Sequence, residues 1–154
     1  MPLLWEKAQA RPGAFAWALL LSVPLAMIWL GSLWGPGSLP DLMVRGAFAP
    51  LCHQQPDRAI LVGEAPLAVC ARCTGLYLGL ALGGWLAMLV RRAGRRPTGY
   101  LLLAALALPA IDGISGWLGI WSSGPLLRAG TGLLAAFPLT LLLMMGREHG
   151  INRG

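Results

Sequence analysis

Four residues with side chains able to bind metal or carry redox chemistry stand close together: Cys52, His53, Cys70 and Cys73. They comprise all three cysteines of the chain and one of its two histidines. Cys70 and Cys73 are spaced Cys-Ala-Arg-Cys and directly precede an apolar run. A Cys-x-x-Cys at a helix start puts both sulfurs on one side of the first turn. Free backbone N–H groups and the positive helix end favour thiolate there. Arg72 adds positive charge beside them. Thiolate both binds metal and attacks disulfides, so the motif suits either chemistry.

Cys52 and His53 bring the count to Cys3His, a tetrahedral zinc ligand set. Adjacent residues tend to point apart, so both can ligate one ion only through a tight turn. Otherwise His53 supports a ligand by hydrogen bonding, and water or another residue takes the fourth position. Taken singly, a buried cysteine is a small hydrophobe and a loop histidine is solvated. Their clustering sets these residues apart. An odd number of cysteines cannot all pair within one chain.

The elements that must position them follow from composition. The chain has 154 residues, 56% hydrophobic and 12% charged, with a mean hydropathy of +0.66. A soluble domain carries about 25% charged residues. These figures exclude a disordered chain, a disulfide-dense secreted mini-protein and a typical soluble enzyme, and they fit an integral membrane protein. The net charge of +6 does not imply nucleic acid: Lys7 is the sole lysine, and the arginines are distributed as membrane topology would place them.

Four apolar runs are long enough to be spans, at about 14–34, 74–90, 99–121 and 125–145. The expected fold is therefore all-α, a single polytopic membrane domain over residues 1–154 with four transmembrane helices. A long outward loop, 35–73, carries the Cys/His site. Pro24, Pro109 and Pro138 fall inside runs, where proline can kink a helix. In the loop, Asp41 is a candidate cap for a short interfacial helix reaching about Ala49. Pro50, Pro56 and Pro66 argue against a long regular element after it.

Gly75, Gly79 and Gly83 form one stripe on the second run, the spacing that lets helix backbones approach closely in lipid. It suits either an intramolecular contact or a homo-oligomer. Ser122, Ser123 and Gly124 form the tight turn of a hairpin between the third and fourth runs. Trp5, Trp34, Trp117 and Trp121 mark span ends.

Basic residues set the orientation. Lys7, Arg11, Arg91, Arg92, Arg95, Arg96, Arg147 and Arg153 fall on one side of an even number of spans. That side is expected to be the cytoplasm, with both termini inside and the Cys/His loop outside, in the cell's inner (cytoplasmic) membrane. Glu148 and His149, in the cytoplasmic tail, have no assigned task.

Asp112 lies inside the third run and Arg128 in the first turn of the fourth. A carboxylate in lipid faces the bundle interior with a partner, and Arg128 is the expected one. At nine residues before Trp121, Asp112 lies about 14 Å below the turn, which leaves open whether it reaches the cysteines. The plain reading is a pair that fixes helix register. The functional one is a polar pocket closed by Asp112, Arg128, Arg58 and Arg72, the candidate catalytic residues, which would attract an anion such as a phosphate or carboxylate head group.

The quoted residues resemble a known family. Cys52-His53-Gln54, Arg58, the run Cys70-Ala71-Arg72-Cys73-Thr74-Gly75-Leu76-Tyr77-Leu78-Gly79, Asp112-Gly113 and Arg128-Ala-Gly-Thr131-Gly132 are similar to an uncharacterised prokaryotic membrane-protein family, a domain of unknown function. The resemblance implies a small multi-span protein in which these polar residues form a common site. It implies no activity. The chain departs from that pattern at Gly116, where the family has a Gln, and no Asn precedes Arg128.

Three functions compete. In the first, Cys52, Cys70, Cys73 and His53 bind Zn²⁺ for structure or catalysis. In the second, the protein is a membrane thiol-disulfide oxidoreductase linked to quinone; a second cysteine pair for a soluble partner is missing. In the third, the Arg/Asp pocket makes it a lipid- or anion-handling enzyme or transporter. Membrane lipid is the expected partner in each.

Overall fold

The structure, a computed structural model, describes residues 12–93, 99–120 and 123–151. Trp5, Lys7, Arg11, Arg95, Arg96, Trp121, Ser122 and Arg153 lie outside the described residues, as do the side chains of Arg91, Arg92, Arg147, Glu148 and His149. In chain order the elements are α1 (Pro12–Leu33), α2 (Leu39–Phe48), β1 (Ala59–Val62), β2 (Ala65–Cys70), α3 (Ala71–Ala93), α4 (Gly99–Trp117) and α5 (Pro125–Ile151).

The chain is mostly helical. α1 and α5 are long and apolar enough to cross a membrane by length and composition, over Phe15–Leu33 and Pro125–Met144. Large apolar side chains lie exposed on the outward faces: Leu20 and Leu30 on α1, Leu103 and Ile111 on α4, Leu127 and Leu143 on α5. Apolar surface of this extent marks contact with a membrane or a partner. The three prolines are accommodated inside α1, α4 and α5. α4 stops at Trp117, short of the expected 121, because Gly119 adopts a left-handed φ of 70° that ends the helix.

α3 lies between α1 and α5, and α4 packs on the other flank of α5. Missing side chains make the α3–α5 contact close. A Cβ at Gly79 would come within 2.6 Å of the Leu133 carbonyl oxygen, and one at Gly83 within 2.8 Å of that of Phe137. At Gly75 it would collide with the backbone of Ala129. Ala129, Leu133 and Phe137 are themselves spaced by four, so the two helices meet along matching lines, as small-xxx-small packing allows. The glycine stripe, open on sequence to an inter-chain role, is occupied by α5 of the same chain.

The segment between α1 and α3 corrects the all-α expectation. β1 and β2 form a two-stranded antiparallel sheet with Val62 opposite Ala65. Gly63, at φ 67°, makes the turn. Two short strands escape the proline argument: Pro56 precedes the hairpin, and Pro66 sits near the start of β2 where a sheet of two strands leaves free edges.

The cap of α2 also differs from expectation. Ser38 is the N-cap and accepts the Asp41 N–H at 3.3 Å. Asp41 reaches back to accept the Gly37 N–H at 2.9 Å, one residue before the cap. Asp41 also accepts from Arg45 Nε at 2.9 Å, and Arg45 donates on to the Pro66 carbonyl at 3.3 Å. Burial works to raise the Asp41 carboxyl, but the hydrogen bonds from Arg45 and Gly37 outweigh it and hold it below its ordinary value.

A small core joins these pieces. Ile28 of α1, Val44 and Phe48 of α2, and Leu67 and Val69 of β2 are buried together with Cys52. Burying side chains such as Leu67 and Val69 contributes roughly 1.5–3 kcal/mol each. The segment between α1 and α3 is thus a packed cap on the helices, with the cysteines at the margin that meets them.

Candidate metal centre

Each cysteine arrives on a different element. Cys52 follows the last turn of α2, its N–H donating to the Phe48 carbonyl at 2.9 Å. Cys70 is the last residue of β2, and Cys73 lies in the first turn of α3. The three sulfurs lie within 4.8 Å of one another, Cys52 buried and the other two half-buried. All three are free thiols.

The loop after Cys52 is built around its sulfur. Gln54 takes a left-handed φ of 51°, unusual for a residue with a side chain. That turn aims the Gln54 N–H at the Cys52 sulfur, 3.4 Å away. The Cys70 N–H meets the same sulfur at 3.3 Å. The Gln54 side-chain amide donates to the Arg45 carbonyl at 2.5 Å, which ties the turn to α2.

The thiols share charge. A hydrogen bond from the Cys73 thiol pulls Cys70 down to about 5, helped by the N–H groups of Cys73 and Arg72 and by the Cys52 thiol, against opposing burial. Cys73, ahead of the apolar stretch, is pushed up by that same bond, by burial and by the negative charge beside it. One thiolate held by protonated neighbours is an arrangement a divalent cation can replace, with metal taking the place of the shared protons. The sulfurs lie within 4.8 Å of one another; for Zn–S bonds of about 2.3 Å, tetrahedral sulfurs lie about 3.8 Å apart.

His53 is not brought into this group. Its side chain is exposed, though it lines the same cavity as the sulfurs. The reason is the adjacency argument: the chain turns Cys52 into the core, and the next side chain points out.

That cavity, of about 510 Å³, unites both sets of sequence candidates. Arg58, Arg72, Asp112 and Arg128 all line it with the three cysteines. The α4–α5 hairpin therefore reaches the cysteine site, despite its departure at Gly116, itself a wall residue. The partner of Asp112 is different from the expected one. Asp112 pairs with Arg72 and also accepts from the Thr131 hydroxyl at 3.5 Å. Arg128 makes no direct pair with Asp112: it donates from Nε to Ser123 Oγ at 3.1 Å, and Ser123 and the Arg128 charge both act on Asp112.

One glycine underlies the exchange. A Cβ at Gly132 would collide with the Arg72 carbonyl, so only glycine lets the first turn of α3 settle on α5. The Arg72 guanidinium then passes beside Gly113, next to Asp112, at ordinary contact distance. The Arg72 Nε is buried and has no hydrogen-bond partner.

Sequence reasoning missed Tyr77 and Trp117 as site residues. Tyr77 packs against the cysteine core and meets Phe48 edge-on, ring centroids 5.2 Å apart. Its signal was its place four residues after Cys73, on the same helix face. Trp117 forms part of the cavity wall.

The model of the family described as Predicted membrane protein (DUF2085) matches residues 52–142, from Cys52 through most of α5. An uncharacterised protein of Methanocaldococcus jannaschii is 30% identical over 106 residues, 68% of either chain. An uncharacterised protein of Methanothermobacter thermautotrophicus is 34% identical over 100 residues, 65% of this chain and 90% of its own. No solved structure matches.

Proposed function

The chain belongs to the family described as Predicted membrane protein (DUF2085), and from that premise we propose that it is a four-span membrane protein whose outer-face cysteines bind one zinc ion. The observation that carries the metal reading is the meeting of three sulfurs, from three elements, within 4.8 Å. Hydrophobic packing alone would not aim two backbone N–H groups at one of them.

Cys52, Cys70 and Cys73 are the ligands in this reading, and His53 stands on the cavity wall outside the ligand group. Three thiolates leave one of zinc's four positions for water or a ligand, the arrangement that catalytic zinc sites keep. The ion would also pin α2, β2 and α3 together, so its binding energy would add to folding.

The span assignment rests on length and charge. α3 and α4 have 23 and 19 residues, about 35 and 29 Å of helix, enough to accompany α1 and α5 across a hydrocarbon core of about 30 Å. Lys7, Arg11, Arg91, Arg92, Arg95, Arg96, Arg147 and Arg153 then share the cytoplasmic side of the inner membrane.

The test is metal content of the detergent-purified protein beside a Cys70→Ser/Cys73→Ser variant. About one zinc per chain, absent from the variant, is expected. No metal, with a Cys70–Cys73 disulfide that forms and passes electrons to quinone, would replace this reading with thiol oxidoreductase chemistry.

A further inference from the structure

The cavity beside the thiols holds more cationic charge than its own carboxylate neutralises. Three guanidinium groups line it, those of Arg58, Arg72 and Arg128, against the one carboxylate of Asp112. Arg72 is committed to Asp112. Among the described residues Arg58 pairs only with Asp57, at 3.8 Å with both side chains largely exposed, a pair that solvent screens. Arg128 makes no direct ion pair among the described residues, although the Asp112 charge reaches it and Ser123 hydrogen-bonds to both. Loading the thiols with a divalent ion does not remove the excess. Three thiolates and the ion carry one net negative charge, and with Asp112 they still fall short of three guanidiniums.

Arg128 is also the guanidinium best prepared to bind. The hydrogen bond from its Nε to Ser123 Oγ, 3.1 Å, anchors one edge of the group, and Ser123 is itself buried. The terminal nitrogens remain as a two-pronged donor. Such a fork matches two oxygens of an oxyanion, and a second arginine favours one with a third oxygen and a second charge. At about 510 Å³ the cavity has the size of a small-molecule site, larger than a bare phosphate needs. Leu51 and Trp117, 71% and 86% exposed, give its wall an apolar margin.

We infer that this cavity binds a phosphate group, with Arg128 as the fork that holds it and Arg58 as the second cation. The inference goes beyond the zinc reading and does not depend on it, because the arginines face the cavity whether or not the thiols hold an ion. The phosphate has two sources, a phospholipid head group at the membrane surface or a soluble phosphate compound.

The test is equilibrium binding to the full chain in an uncharged detergent, with two probes: inorganic phosphate and a short-chain phosphatidic acid. Saturable binding of at least one probe is expected, weakened tenfold or more in Arg128→Gln and less in Arg128→Lys, which keeps the charge but loses the fork. Phosphatidic acid binding at least tenfold tighter than inorganic phosphate would assign the head-group source; comparable affinities would assign a soluble one. Absence of saturable binding by either probe overturns the inference. So does unchanged affinity in Arg128→Gln. Should that variant fail to fold, Arg58→Gln, at an exposed side chain, decides: unchanged affinity there overturns the inference, and a loss supports it. Metal content measured on the same samples separates the two readings, since phosphate binding without zinc and zinc without phosphate binding each remove only one of them.

Discussion

The backbone N–H of Cys70 points at the sulfur of Cys52 across 3.3 Å, and this contact joins the end of β2 to the turn after α2. It brings together two parts of the chain that the sequence separates by the whole β-hairpin. It also presents the Cys52 sulfur as an acceptor beside the two thiols of the Cys-x-x-Cys.

The ligand set can be read one residue at a time. Replacing Cys52, Cys70 or Cys73 by Ser is expected to lower zinc affinity by at least about tenfold, since the loss of even a supporting group costs a metal site that much. His53→Ala should leave affinity unchanged. Competition with a chromophoric chelator measures both, and a His53→Ala loss as large as that of a cysteine would restore the Cys3His set.

The α3–α5 contact has a steric signature. Gly75→Ala places a methyl against the backbone of Ala129, so the helices must separate, at a cost of about 1–3 kcal/mol. Gly130→Ala, with nothing within 4 Å of the new methyl, should be neutral or slightly stabilising through helix propensity. Thermal melting in detergent should show a lower Tm for the first only.

Arg72 and Asp112 should be energetically coupled. Their side chains are 40% and 9% exposed, so solvent reduces the pair's worth to about 1 kcal/mol. In a double-mutant cycle with Arg72→Gln and Asp112→Asn, the double variant should be less destabilised than the two single losses added together. Strict additivity would mean that the pair does not hold α4 to α3.

Acid should loosen the outer cap through Asp41. Its carboxyl lies below the ordinary value in the folded chain, so the unfolded chain, at about 3.9, binds the proton first. The stabilisation is fully present above that value and is lost as pH falls through the lower folded one. Melting of metal-free protein followed from pH 7 to pH 3 should show Asp41→Asn less stable than the parent at neutral pH, with the difference shrinking in acid.

Topology has a direct readout. On metal-free protein in intact cells, a membrane-impermeant thiol reagent should reach Cys70 and Cys73, which line the cavity. Labelling only after the membrane is broken would reverse the proposed orientation.

The residues to examine were legible in the sequence, because composition and spacing are local properties. Apolar runs fall where the helices lie, since a helix long enough to span lipid must be apolar along its own length. Cys52, Cys70 and Cys73 stood out by type alone, and the stripe of Gly75, Gly79 and Gly83 by its four-residue period. The loop hairpin was hidden because its strands are too short for alternation to outweigh the prolines around them, and the cap of α2 was placed on Asp41 where Ser38 holds it. Tertiary structure alone decided which charges meet. Asp112 stands nearer in sequence to Arg128 than to Arg72, yet pairs with Arg72, forty positions away. Glycines at 75, 79, 83 and 132 let α3 sink onto α5, and that approach brings the first turn of α3, with Arg72, alongside α4. An ion pair needs the two groups in contact, and contact between helices is set by the shapes of both surfaces, which no single stretch of sequence contains.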